Sequence, residues 1–289
     1  MRMATIRPNV LGGAVRAAGD EAADLQLVGT ACEVDVDIVV PMYNEQVELG
    51  SSIITLVEHL RSLAGGASAF SWCVVIADNA STDRTWQLAC SLAASYPDEV
   101  RAVRIPRKGR GYALRCAWLA SRARVLAYMD VDLSTDIAQI PDLVLPVLDG
   151  AVDVCFGSRL LPASQVTRCA KREVISRTYN RMLQVYLGVE FRDAQCGFKA
   201  VSAEAASVLL PQIVDDEWFF DTELLVLAER LGLAMREIPV RWVEDRASTV
   251  HILDTVRKDL AGMRRIKRSA APVSAASHGI QRRRAVDAR

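Results

Sequence analysis

The chain has 289 residues, 51% of them hydrophobic, and its 35 basic and 35 acidic side chains cancel to a formal net charge of zero. That length holds one large α/β domain or two small ones with a sizeable core, and the charge balance excludes a general electrostatic attraction to nucleic acid. Seven scattered cysteines (Cys32, Cys73, Cys90, Cys116, Cys155, Cys169, Cys196) with no CxxC pair exclude a zinc or disulfide framework and fit a reducing cytosol.

Residues 1–34 are rich in Ala and Gly and broken by charges. They lack the continuous apolar stretch of a signal peptide and read as a flexible arm. No run approaches the roughly 20 apolar residues that span a bilayer. The first strand is Asp37–Pro41, running into Tyr43-Asn44-Glu45, with a helix expected from about Val47 to Leu63. A second strand, Trp72–Ala77, stops at Asp78-Asn79-Ala80-Ser81-Thr82-Asp83, and Ser81 or Thr82 can cap the helix that continues to about Ser95. Val100–Ile105 is a third strand, followed by the basic glycine loop Arg107-Lys108-Gly109-Arg110-Gly111 and a helix from Tyr112 to Ser121. The fourth, Val125 to Met129, is an apolar run ending in Asp130-Val131-Asp132. Period-two alternation would set both carboxylates on one face.

Four strand–helix alternations imply a mostly parallel sheet with helices on both faces, and ligands bind such sheets beyond the carboxyl ends of the strands. All the conspicuous polar clusters fall there. An oxygen-only carboxylate pair suits Mg²⁺ or Mn²⁺ completed by a substrate phosphate. It does not suit a calcium EF-hand loop, because Thr135 stands where the glycine is needed and Pro141 where the closing glutamate belongs. A phosphoaspartate hydrolase and plain solvated acids remain as rival readings. Asp78 can accept hydrogen bonds from a base or ribose, Tyr43 can stack on a flat ring, and Glu45 can hold sugar hydroxyls. Lys108 and Arg110 bring positive charge to a diphosphate, with Gly109 and Gly111 letting backbone amides approach.

Val40-Pro41-Met42-Tyr43-Asn44-Glu45, Asp78 to Asp83, Lys108-Gly109-Arg110-Gly111, Asp130-Val131-Asp132 and Gly157-Ser158-Arg159 together resemble the ordered motifs of family 2 glycosyltransferases with the GT-A fold. Asp193-Ala194-Gln195-Cys196-Gly197-Phe198-Lys199 and Trp218-Phe219-Phe220-Asp221-Thr222-Glu223-Leu224-Leu225 look most like the polyprenyl- and dolichyl-phosphate glucosyltransferase branch, related to the lipid-phosphate mannosyltransferases. The resemblance implies an inverting enzyme using a nucleotide-sugar donor, expected to be UDP-linked, and a polyprenyl phosphate acceptor. Pro41, Tyr43, Glu45, Asp78, Ser81, Lys108 and Asp130 would bind the donor, and Asp130 and Asp132 the metal. Arg159, Arg172, Lys199 and Arg246 would meet the acceptor phosphate. Asp130, Asp132, Arg159 and Asp221 would be the catalytic set, Asp221 serving as a base if the acceptor is a hydroxyl or balancing a helix N-terminus otherwise. The mannosyltransferases carry a Lys a few residues beyond an Arg near the domain end, but after Arg246 this chain has Ala247-Ser248-Thr249. The open alternatives are a GDP-mannose donor, a saccharide hydroxyl acceptor, and a non-catalytic sugar-nucleotide sensor.

The expected organisation is therefore an arm at 1–34, a GT-A domain at 35–250, a basic amphipathic helix at 251–268 and a disordered basic tail at 269–289. From Arg241 onward twelve basic residues face five acidic ones. The stripe Ile252, Val256, Leu260, Met263 and Ile266, flanked by Arg257, Lys258, Arg264, Arg265, Lys267 and Arg268, predicts a helix lying in an anionic headgroup plane. The segment 167–188 offers a second basic face. Together they point to peripheral attachment at the inner face of the membrane, either directly or through a membrane-protein partner.

Overall fold

The structure is a computed structural model, and it describes residues 25–29, 33–63, 65–66, 69–244 and 252–269. Most of the expected arm, Arg246 and the tail beyond Ser269 lie outside the described residues. The expected alternation forms in order: β2 (Val36–Met42), α1 (Leu49–Ser62), β3 (Trp72–Asn79), α2 (Thr85–Ser95), β4 (Val100–Ile105), α3 (Arg110–Leu119) and β5 (Val125–Met129). It is preceded by β1 (Gln26–Val28), an edge strand inside the stretch expected to be an arm, paired antiparallel with β4.

The second half supplies α4 (Ile140–Leu148), β6 (Val154–Ser158), β7 (Gln165–Thr167), α5 (Ala170–Leu187), β8 (Phe198–Ser202), α6 (Ala203–Leu209), α7 (Phe220–Arg230), β9 (Met235–Pro239), β10 (Arg241–Val243) and α8 (Ile252–Arg268). Eight strands make one sheet in the order β1-β4-β3-β2-β5-β8-β6-β9, with β8 antiparallel to both neighbours. Strands β7 and β10 form a small parallel ribbon.

The apolar runs fold as central strands because the sheet is covered on both sides. Alternate residues of one strand enter opposite cores. Val75 and Ala77 join a cluster with Leu114 and Trp118 of α3 and Leu224 of α7, whereas Val74 and Ile76 join one with Ile53 and Leu56 of α1 and Leu92 of α2. The adjacency β4-β3-β2-β5 brings the carboxyl ends of four parallel strands side by side, and with them the four polar loops.

Helix α8 spans Ile252–Arg268, and the described part of its apolar stripe, from Leu260 on, faces the domain; the side chains of Ile252 and Val256 lie outside the described residues. Met263 and Ile266 are buried in the core and Leu260 packs against it. Gly262 lies so close to the Phe219 ring that a Cβ there would overlap it. Arg265 bonds Glu223 of α7 at 3.0 Å, and the Ile266 carbonyl accepts from Arg230 at 2.8 Å. Arg257, Lys258, Arg264, Lys267 and Arg268 remain exposed. A three-to-four-residue apolar period describes any amphipathic helix, whether its partner is lipid or its own domain.

Asp259 on α8 is a buried acid. Burial pushes its carboxyl up to about 6 despite hydrogen bonds from Gln195 and from Tyr179 of α5, and nearby Asp215 adds to the rise. Because this lies above the ordinary value of 3.8, ionised Asp259 opposes folding above its folded pKa, and the penalty lifts as the pH falls from that value toward the ordinary one. Asp259→Asn is expected to raise stability near neutral pH by on the order of 1–3 kcal/mol in urea unfolding, with the gain fading near the ordinary carboxylate pKa. A gain that does not change with pH would refute the assignment.

Candidate active site

The first two loops are stapled together by side chains accepting from backbone. The Asn44 N–H donates to Ser81 Oγ at 3.0 Å, the Thr82 N–H to Asn44 Oδ1 at 2.8 Å, and the Glu45 N–H to Thr85 Oγ1 at 2.8 Å. Tyr43 stands at the end of β2 with Lys108 Nζ 3.6 Å from its ring centre, a cation–π contact. Asp78, at the end of β3, is fully buried. Its Oδ1 accepts from the Ser81 N–H at 3.3 Å, while Oδ2, 3.7 Å from Arg104 Nε, accepts no hydrogen bond. Burial raises its pKa. A buried acceptor without a hydrogen-bond donor is costly, and a ligand N–H or O–H could supply that donor only where the half-exposed Arg104 side chain beside it moves aside. Pro41, Tyr43, Asp78, Ser81 and Lys108 thus lie at the same end of the sheet.

The glycine loop works differently from the expectation. The Gly109 N–H donates to Asn79 Oδ1 at 2.7 Å and the Tyr112 N–H to the Asp216 carbonyl at 3.0 Å. A Cβ on Gly111 would sit 2.5 Å from Phe220 Cβ. The loop therefore lets the segment before α7 pack against α3, and these two amides are not available to cradle a phosphate.

Strand β5 ends at Met129, and Asp130, Val131 and Asp132 lie in the turn after it. The carboxylates are therefore not presented by strand alternation. The turn buries Val131 and leaves Asp130 and Asp132 accessible. Asp132 Oδ1 caps the Ser134 N–H at 2.9 Å, and β10 clamps the loop through the Val243 N–H on the Ser134 carbonyl at 2.9 Å. Gly197 faces the Asp130 carboxylate so closely that a Cβ would occupy the same space. Two accessible carboxylates with a glycine clearing room beside them fit a hard divalent cation. Among the described residues no group of three or more His, Cys, Asp or Glu forms a complete metal cage, so further ligands would come from donor oxygens and water.

Behind Asp130 lies a buried charge cluster. Arg110 bridges two acids, Nη2 to Asp130 Oδ1 at 2.8 Å and Nη1 to Asp221 Oδ2 at 2.7 Å. Its guanidinium carbon lies over the rings of both Tyr128 and Trp218, with centroids 5.1 and 5.0 Å away. Asp221 Oδ1 receives the Tyr128 hydroxyl and lies 3.1 Å from Lys199 Nζ. Lys199 is fully buried and also donates to the Cys196 carbonyl at 2.6 Å and Tyr128 Oη at 3.1 Å. Burial disfavours the charge on Asp221, but Lys199 and Arg110 outweigh it and hold its pKa below the usual range. Both Asp221 oxygens are engaged inside the protein, which leaves it no open edge for a proton-abstracting role. Lys199, with its ammonium enclosed by three partners, has no reach toward an acceptor phosphate. The sequence singled out Asp221 and Lys199 but not Tyr128, which was concealed as one member of an apolar run, nor Asp193.

Asp193 is the reason Arg159 is held where it is. The guanidinium grips it in a fork, Nε to Oδ2 at 2.8 Å and Nη2 to Oδ1 at 2.9 Å, and the Arg159 N–H adds a third bond at 3.0 Å. Although burial opposes ionisation, Arg159 lowers the Asp193 pKa to about 2. Arg172 pairs with Glu244 at 2.7 Å on the flank of the small ribbon and is about a third exposed. Arg246 lies outside the described residues.

Arg159→Met is expected to destabilise the fold by about 3–5 kcal/mol in urea unfolding, because it leaves a buried carboxylate unpaired. Adding Asp193→Asn should recover part of that loss, and purely additive losses would contradict the pairing.

The chain matches the family model "Glycosyl transferase family 2" over residues 37–210. It is 40% identical over 235 residues to glycosyltransferase AglD of Haloferax volcanii, covering 81% of this chain and 36% of that protein. It is 29% identical over 219 residues to the dolichyl-phosphate beta-glucosyltransferase of Drosophila melanogaster, covering 73% of this chain and 67% of that one. The chain thus spans about a third of the first relative and about two thirds of the second. In structure it is similar to Mycobacterium tuberculosis glucosyl-3-phosphoglycerate synthase in complex with UDP, at TM-score 0.59 and 21% identity over 80% of this chain and 79% of that one. A complex of the same enzyme with Mn²⁺, UDP-glucose and phosphoglyceric acid gives TM-score 0.58 at 19% identity, over 80% and 78%. The fold shared with these structures is the GT-A fold.

Proposed function

The chain belongs to the family 2 glycosyltransferases, and on that premise we propose that it transfers a hexose, glucose or N-acetylhexosamine, from a UDP-sugar to a polyprenyl phosphate with inversion at the anomeric carbon. The family match sets aside the phosphoaspartate hydrolase. The observation that carries the choice of acceptor is the enclosure of Asp221 by Arg110, Lys199 and Tyr128. A saccharide hydroxyl must lose its proton on attack, and the one base the sequence offers is sequestered. A lipid phosphate arrives already ionised and needs no base. The dolichyl-phosphate beta-glucosyltransferase relatives support the same acceptor class.

On the donor side, Asp78 Oδ2 takes a hydrogen bond from the base or ribose and Tyr43 offers its ring face once Lys108 turns to the diphosphate. UDP in the similar synthase structures supports a uridine donor. Asp130 and Asp132 would hold Mg²⁺ or Mn²⁺, which would neutralise the charge developing on the departing nucleoside diphosphate. Arg159, fixed by Asp193, and Arg172 supply positive charge for the incoming phosphate. Catalysis in this arrangement is positioning and electrostatic stabilisation.

Among the described residues no helix is long and apolar enough to cross a membrane. For attachment at the inner membrane face we look to α5 as well as α8. Lys171, Arg177 and Arg181 are exposed there together with Val174 and Val185, and Lys267 of α8 lies 4.0 Å from the exposed Tyr186 ring. Each basic residue near an anionic leaflet contributes roughly 1 kcal/mol. Co-flotation with anionic vesicles, weakened at least about tenfold by combining Lys171→Glu with Arg181→Glu, is the expected result. Equal flotation of this variant would move the contact elsewhere.

Purified protein with Mn²⁺ is expected to glycosylate a polyprenyl phosphate from one of a panel of labelled UDP-sugars. Asp132→Ala should lower that rate by about 10²–10³-fold, with the fold retained and a stability loss of only about 1 kcal/mol for the Ser134 N–H cap. Turnover only with GDP-mannose, turnover only on saccharide hydroxyls, or binding without turnover would each replace the proposal.

A further inference from the structure

Arg110 sits where a cation is expected. Its Nη2 lies 2.8 Å from Asp130 Oδ1, on the carboxylate that faces the site, while Oδ2 of the same group is backed against Gly197. The side chain is nine-tenths buried, anchored at its other nitrogen by Asp221 and in contact with two aromatic rings. This guanidinium is therefore built into the site rather than passing through it. Against the penalty of burial, Asp221 and Asp130 hold it firmly in the charged state.

We infer that Arg110 is an internal placeholder for the divalent cation on Asp130, so that metal loads efficiently only together with the donor diphosphate. The inference rests on the reading of Asp130 and Asp132 as metal ligands. A divalent ion held by Asp130 would compete with Nη2–H for Oδ1 and would repel the guanidinium at the 2.8 Å separation seen here, favouring a guanidinium edge turned away from that oxygen. A bare ion then adds two positive charges beside a fixed one, with only the two accessible carboxylates to balance them. A diphosphate brings the missing negative charge and gives the released Nη2 a new acceptor. The pair Asp221 and Lys199 is neutral within itself and keeps Arg110 anchored through Nη1 during this exchange. Trp218, half-exposed, keeps its ring 5.0 Å from the guanidinium carbon.

The test is binding of Mn²⁺ alone, followed by electron paramagnetic resonance of the free ion, with and without UDP. Arg110→Met is expected to bind Mn²⁺ alone at least about tenfold more tightly than the native protein, equivalent to ~1.4 kcal/mol, and UDP should enhance Mn²⁺ affinity less in the variant. Unchanged or weaker binding of Mn²⁺ alone by Arg110→Met, while the native protein still binds Mn²⁺ with UDP, overturns the placeholder and leaves the proposed function standing. Absence of Mn²⁺ binding in every protein, with or without UDP, overturns both. If Arg110→Met does not fold, the native protein labelled with ¹⁵N at arginine side chains answers the same question. The Arg110 guanidinium signals, identified by their absence from Arg110→Lys, should shift when Mg²⁺ and UDP are added together, and unmoved signals overturn the inference.

Discussion

The structure turns on one buried carboxylate. Asp221 opens α7, yet its charge balances Arg110 from α3 and Lys199 from β8, with Tyr128 of β5 completing the set. Four elements from distant parts of the chain are tied at this point. A buried charge without partners costs several kcal/mol, so the cluster leaves little freedom in how α3, β5, β8 and α7 meet. It also defines the back wall of the site, because the guanidinium it fixes is the one that touches Asp130.

A second layer of order comes from carboxylates and amides that hold loops to each other instead of to a ligand. Asn44, Ser81 and Thr85 stitch the first two loops, and Asp193 fixes Arg159. The strand ends at the top of the sheet are thus preorganised, which is what a reaction driven by positioning requires. Against that background Asp78 Oδ2 stands out as a buried acceptor left open.

Much of this was legible in the amino-acid order. The apolar runs 72–77 and 125–129 and the alternating segment 100–105 announced strands, and the polar residues that follow them marked the candidate site. What was hidden depended on partners distant in sequence. The strand β8 runs antiparallel between β5 and β6, a direction no local pattern encodes. Lys199 reads as an exposed phosphate binder until β8 carries it into the core. Gly109 and Gly111 read as a phosphate nest until the approach of Asp216 and Phe220 explains them. The stripe on α8 was recognised as apolar, but its periodicity carries no information on whether hydrocarbon or Phe219 lies opposite.

The placement of α8 has a consequence for biosynthesis. Phe219 and Glu223, at the start of the helix that bears Asp221, receive Gly262 and Arg265 as neighbours. During translation the ribosome must release the polypeptide past Arg268 before this corner can close. Until α8 docks, the Phe219 ring lacks the cover that Gly262 gives it, two residues from the carboxylate on which the buried charge cluster is built.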